Sequence, residues 1–106
     1  MKQQPVEFLE EIEADLRAAR PFYDSWQTDG GHHFHAKFRE TVSWIEWNPE
    51  LFPRKYRRFR LVVIRRSYYG AFFVIEPSVT TVVAVVDLRQ SPAVLQDILR
   101  VRTAGS

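Results

Sequence analysis

A chain of 106 residues, 45% apolar and 26% charged, fits one globular domain and argues against disorder. It has no cysteine, which excludes disulfides and thiolate metal sites. The net charge of +2 conceals a split: residues 1–50 carry five Lys/Arg against ten Asp/Glu (net −5), and residues 51–106 carry ten against three (net +7).

The split leaves two readings. The basic half meets a polyanion or an acidic partner, or the two halves neutralise each other across the fold. The tight cluster "RKYRRFRLVVIRR" at 54–66, with seven basic residues in thirteen, favours the first. Apolar runs fall far short of the roughly 20 residues that span a bilayer. The N-terminus "MKQQPVEFLEE" turns acidic where a signal peptide is apolar. The expectation is a soluble protein of the cytoplasm, without membrane contact.

In chain order, "PVEF" predicts a short strand with Val6 and Phe8 on one face. Ile12, Leu16, Ala19, Tyr23 and Trp26 recur at spacings of four, three, four and three residues, one face of a helix that Pro21 is expected to kink or restart near Arg20. "TDGG" at 28–31 reads as a break. A second helix buries Phe34, Phe38, Val42 and Ile45 and stops at Asn48, because the residue before Pro49 is pushed out of the helical region.

After "NPELFP" the period changes from 3.6 to 2. Phe59, Leu61 and Val63 then share one face of a strand, expected to be core. Arg58, Arg60, Val62, Ile64 and Arg66 share the other, expected to carry an exposed functional face. "AFFVI" and "VTTVVAVVD" are β-branched and aromatic runs, so they predict interior strands joined through "EPSV" as a hairpin. The tail "AVLQDILR" has length for two helical turns. The predicted architecture is β-α-α-β-β-β: a two-layer α+β domain over residues 1–106, core about 6–95, with two helices packed on a small, mainly antiparallel sheet.

The order of elements, "NPELFP" after the second helix, the Arg60 strand and the ending "VVDLRQSP" together resemble the RelE/ParE superfamily of bacterial type II toxins, over roughly Val6 to Leu95. The resemblance implies a small basic toxin neutralised by a cognate acidic antitoxin, with no cofactor. It implies one of two targets: ribosome-bound mRNA for a RelE-like endoribonuclease, or DNA gyrase for a ParE-like toxin.

A ribonuclease needs a base for the 2′-hydroxyl, an acid for the leaving oxygen and cations for the phosphorane charge. Arg58, Arg60, Arg65, Arg66 and Arg89 offer cations. RelE-like nucleases usually place an arginine where this chain has Gly70, and many have a His-x-Arg pattern where it has Asp87-Leu88-Arg89. Asp87 beside Arg89 is expected to keep a low pKa and shuttle protons poorly. The ParE-like branch is therefore favoured, although its common Arg-Phe-Pro-Tyr reads Arg66-Ser67-Tyr68-Tyr69 here. If the chain is a nuclease, Arg60, Arg89, Asp87 and Tyr69 are the expected catalytic set; a third reading is an inactive binding module of the same fold.

In "HHFH" (His32, His33, His35), His32 and His35 offer two ligands three residues apart, but there is no cysteine and no histidine elsewhere to serve as a third ligand, so it reads as a polar helix start. Trp44 and Trp47, about one turn apart, read as core and antitoxin-facing surface rather than a base-stacking platform. One of Tyr68 and Tyr69, next to arginines, is a candidate to stack on a base or fill a partner's pocket.

Overall fold

The fold is known from a computed structural model, described here for residues 4–26 and 30–104, with the side chain of Trp26 left aside. The elements are β1 (Val6–Phe8), α1 (Glu11–Trp26), α2 (Gly30–Trp47), a 3-10 turn (Pro49–Leu51), β2 (Arg54–Tyr56), β3 (Phe59–Val63), β4 (Tyr69–Ile75), β5 (Thr80–Asp87) and α3 (Pro92–Thr103). The five strands lie in the order β1-β5-β4-β3-β2, and only β1 runs parallel to its neighbour.

The helix stripes pack where their period directs them. Ile12 and Ala19 of α1, with Phe34, Phe38 and Ile45 of α2, bury against Ile64, Ala71, Phe73, Val82 and Val85 on one face of the sheet. The opposite face is also covered. Leu95 and Leu99 of α3 bury against Phe59, Phe72, Val74, Val83, Ala84 and Val86. The expected two layers are thus three, and the core reaches Leu99, past residue 95. The tail forms a full 12-residue helix started by Ser91, whose hydroxyl accepts the Val94 N–H at 3.3 Å, with Pro92 in its first turn.

Three further expectations change. Pro21 does not interrupt α1. Pro21 and the preceding-turn residue Arg17 are both exposed, so solvent can hydrate the carbonyl that lost its donor. "TDGG" does fall between two separate helices, but not all of it is a break. Gly30 and Gly31 open α2, while residues 27–29 lie outside the described residues. A Cβ at Gly30 would sit 1.7 Å from the Tyr23 carbonyl oxygen, and one at Gly31 would sit 2.4 Å from Arg20 Cγ. These glycines serve close helix approach, and the Gly31 N–H donates to Asp24 Oδ1 at 2.8 Å.

Finally, "RKYRRFRLVVIRR" is not one strand. It is a β2–β3 hairpin turning at Arg57–Arg58, with Arg57 at φ 49°, and a second turn from Arg65 to Tyr68 in which Arg66 has φ 58°. The "EPSV" turn stands as predicted: the Glu76 N–H donates to the Val79 carbonyl at 2.9 Å.

β5 carries a bulge. Phe73 pairs with Val82 and Phe72 with Ala84, so Val83 is extra, and Val83 and Ala84 both face α3. β1 ends opposite Val82, leaving the bulged edge uncovered by strand. Asp15 of α1 and Arg102 of α3 close it. Asp15 Oδ2 accepts the Val85 N–H at 2.9 Å, Arg102 donates to the Val83 carbonyl at 3.2 Å, and the two side chains pair at 2.5 and 2.7 Å. Both are largely buried, at 11% and 17% exposed. The pair fastens helices from opposite layers around one strand edge.

Candidate functional site

The first turn residues of β4, the end of β5 and the last turns of α1 converge at one end of the sheet. Tyr69 pairs with Asp87 in register, and the Leu88 N–H donates to the Tyr68 carbonyl at 2.8 Å. Asp87 accepts the Arg89 backbone N–H at 2.9 Å and both Nε and a terminal nitrogen of the guanidinium, the latter at 2.6 Å. This two-pronged grip lays the guanidinium 4.3 Å from the Tyr68 ring centroid and 5.2 Å from that of Phe22. Arg66, Ser67, Tyr68, Phe22 and Tyr23 line a shallow pocket beside it.

The electrostatics follow from these contacts. The hydrogen bond from the Arg89 side chain holds the Asp87 carboxyl below its ordinary range, against a smaller opposing effect of burial. The same bond holds the Arg89 guanidinium charged. Burial raises the Tyr69 phenol, and the Asp87 charge adds to that. Tyr69 is packed edge-on against Phe34 (5.4 Å) and Tyr23 (5.8 Å), so it belongs to the aromatic core under the site more than to its surface. Tyr68 is the exposed member of the pair, at 45%.

The five arginines expected on one basic face are not together. Arg65 and Arg66 occupy the turn after β3, and Arg66 lines the pocket beside the Arg89 cluster. Arg58 lies in the hairpin turn at the other end of β3, its guanidinium 5.5 Å from the Phe59 ring. Arg60 shares its face with Val62 and Ile64, which are packed in the helix-side core. It is half-buried and donates to the carbonyls of Phe52 at 2.7 Å and Glu50 at 3.5 Å. The period-2 alternation holds only within β3, for Phe59 and Leu61 against Arg60 and Val62: Arg58 and Arg66 lie in turns, and Val63, expected in the core, is 56% exposed where the strand ends. The helices α1 and α2 cover what was expected to be an exposed face, and Arg60 anchors the "NPELFP" turn to the sheet.

Of the four residues named for a nuclease, Asp87, Arg89 and Tyr69 are brought together and Arg60 is not. Gly70, where a nuclease would carry arginine, is buried; an added Cβ would sit 2.7 Å from Leu61 Cδ1 and 2.8 Å from Leu88 Cδ1. Trp44 and Trp47 stand half-exposed on α2 with rings 5.9 Å apart, edge to face. His32, His33 and His35 are exposed. Among the described residues, no three His, Asp or Glu side chains are placed to hold a metal ion. Sequence reasoning missed Phe22, whose signal was an aromatic lying off the buried stripe of α1. It also missed Asp15 and Arg102, which lie 87 residues apart in sequence.

Two helices on one face of a mainly antiparallel sheet, the second leading through a 3-10 turn into a β-hairpin, form an α+β fold consistent with that of RelE/ParE toxins. A chain from the chromosomal ParDE TA (toxin–antitoxin) system of P. aeruginosa is similar in structure, with a TM-score of 0.70 over 80% of this chain and 96% of that chain, at 13% identity. No protein-family model matches the chain, and no curated protein matches it. Among the described residues no helix is long and apolar enough to cross a membrane.

Proposed function

We propose that this chain is the toxin of a type II toxin–antitoxin module, of the ParE-like branch, acting on DNA gyrase in the cytoplasm. In this reading a cognate acidic antitoxin holds it inactive by covering the Trp44–Trp47 side of α2. The fold shared with the ParDE chain supports the toxin reading. The observation that carries the branch is the state of Asp87. It is the carboxylate at the position of the nuclease histidine, and Arg89 grips it in its charged form. A proton shuttle must take up and release a proton near working pH, and general acid–base groups are each worth about 100- to 10,000-fold. Arg60 is spent on backbone carbonyls, and Tyr69 is packed against Phe34 and Tyr23.

Expression alone should slow bacterial growth, and co-expression of the adjacent reading frame's product should relieve it. Growth arrest should come with loss of gyrase supercoiling and induction of the DNA-damage response. A translating extract should show no codon-phased mRNA cleavage. Rapid cleavage of ribosome-bound mRNA, abolished by Arg89→Ala, would overturn the branch and make Arg89, Asp87 and Tyr69 the nuclease site. Absence of toxicity and of any complex with the neighbour would sink the toxin reading itself.

A further inference from the structure

Where β1, the end strand of the sheet, meets α1 and α2, an apolar cleft of about 530 Å³ remains open. Ile12 and Phe38, 4% and 6% exposed, lie at its base. Leu9 and Leu16 stand half-buried along it. Phe8 is 46% exposed, with its ring centroid 6.2 Å from that of Phe38. Apolar surface of this kind next to a charged helix face is a mark of a contact surface.

One lip of the cleft is a charged stripe. Glu10, one residue before α1, and Glu13, Arg17 and Arg20 on it recur at steps of three, four and three, which is one helix face. Their signs are segregated, two carboxylates and then two guanidinium groups. Arg17 pairs with Glu13 at 3.0 Å and Arg20 with Asp24 at 3.6 Å, all through side chains about half exposed or more. The ion pairs found among the described residues do not include Glu10. Exposed intrahelical pairs add little stability, so these groups can turn to an outside partner. An acidic partner meets Glu10 and Glu13, and a basic one meets Arg17 and Arg20. Both ends are matched only by a stripe with the reverse order of signs. This chain supplies that stripe when turned end for end, because positions 10 and 20, and 13 and 17, are symmetric about position 15.

We propose that this face joins two copies of the chain, their α1 helices antiparallel across a two-fold axis at position 15. Glu10 of each copy then pairs with Arg20 of the other, and Glu13 with Arg17. Leu16, one residue from the axis on the cleft side of the stripe, meets Leu16 of the second copy and closes the two clefts. A two-fold contact requires a patch complementary to itself, and the order of charges on α1 meets that requirement. The stripe covers about 15 Å of helix, a small contact, so the dimer is weak, of micromolar affinity. Trp44, Trp47 and Arg89 do not line the cleft, so the dimer stands independently of the toxin reading.

The test follows the mass of the full chain by sedimentation equilibrium from about 1 µM to 1 mM. The wild type should dimerise, less tightly as salt rises. Glu10→Arg with Glu13→Arg makes the stripe wholly basic, and Arg17→Glu with Arg20→Glu makes it wholly acidic. Each double variant alone brings like charges together and should self-associate about tenfold or more weakly. An equimolar mixture of the two should dimerise again, a rescue that charges acting only within their own helix do not give. In the wild type, concentration-dependent amide shifts should be confined to residues 8–20 and 35–38, a reading that needs no variant and stands if either one fails to fold. A wild type that stays monomeric to the highest concentration overturns the proposal. So do double variants that dimerise as tightly as the wild type, a mixture that stays monomeric, or shifts centred elsewhere on the molecule.

Discussion

Arg60 and Asp87 show how a charged residue's role turns on what faces it. Arg60 holds the Phe52 carbonyl, and its removal leaves a half-buried acceptor without its charged donor. Arg60→Ala should therefore cost about 1–2 kcal/mol, seen in urea unfolding as a lowered midpoint with an unchanged slope. Asp87 has its folded-state pKa lowered by Arg89. Such a group adds stability above its unfolded pKa, and that stability is lost as pH falls through the lowered folded value. The stability difference between the wild type and Asp87→Asn should thus be present at neutral pH and vanish on acidification below the ordinary carboxylate range. Tyr69 runs the other way. Burial favours its neutral phenol, so its stabilisation is present below the unfolded value and lost as pH rises through the raised one. Tyr69→Phe should remove a step of ultraviolet absorbance above the ordinary phenol range.

The α1–α2 hairpin depends on backbone contact that only glycine allows at its corner. Gly30→Ala would place a methyl group into the Tyr23 carbonyl oxygen, which is backbone and has no freedom to rotate aside. The loss should be about 2–4 kcal/mol, in the range of severe overpacking, and should appear as a lowered Tm. The Tyr23 hydroxyl accepts the Tyr68 N–H at 3.3 Å, and its ring stacks on Phe34 at 4.7 Å. A displaced α1 end would therefore disturb the Phe22–Tyr68–Arg89 cluster as well.

Across the molecule, the Asp15–Arg102 pair joins α1 and α3 over the bulged edge of β5. Removing one partner strands a buried charge and exposes unpaired backbone at Val83 or Val85. Asp15→Ala or Arg102→Ala should each cost about 3 kcal/mol, and the double variant should cost less than their sum in a denaturation cycle. Additive losses would show that the two helices are held independently.

How much of this the sequence carried depends on the range of the interaction. Ile12, Phe34, Phe38 and Ile45 declared two buried helix faces, "AFFVI" and "VTTVVAVVD" declared interior strands, and "EPSV" declared their turn, because each signal rests on residues close in the chain. The pairing of Asp87 with Arg89, two residues apart, was legible for the same reason. The number of layers was not, since a tail of two helical turns does not announce which sheet face it covers. The direction of Arg60 was hidden as well: period 2 assigns its face, but only packed helices decide that the face is a core. The gathering of Phe22, Tyr68 and Arg89, the Asp15–Arg102 clasp and the exposure of Val63 join residues far apart in sequence or depend on where a strand stops. Local sequence determined the elements and their buried stripes. Tertiary packing alone decided which cations stay exposed, because exposure is set by what lands on a residue from elsewhere in the chain.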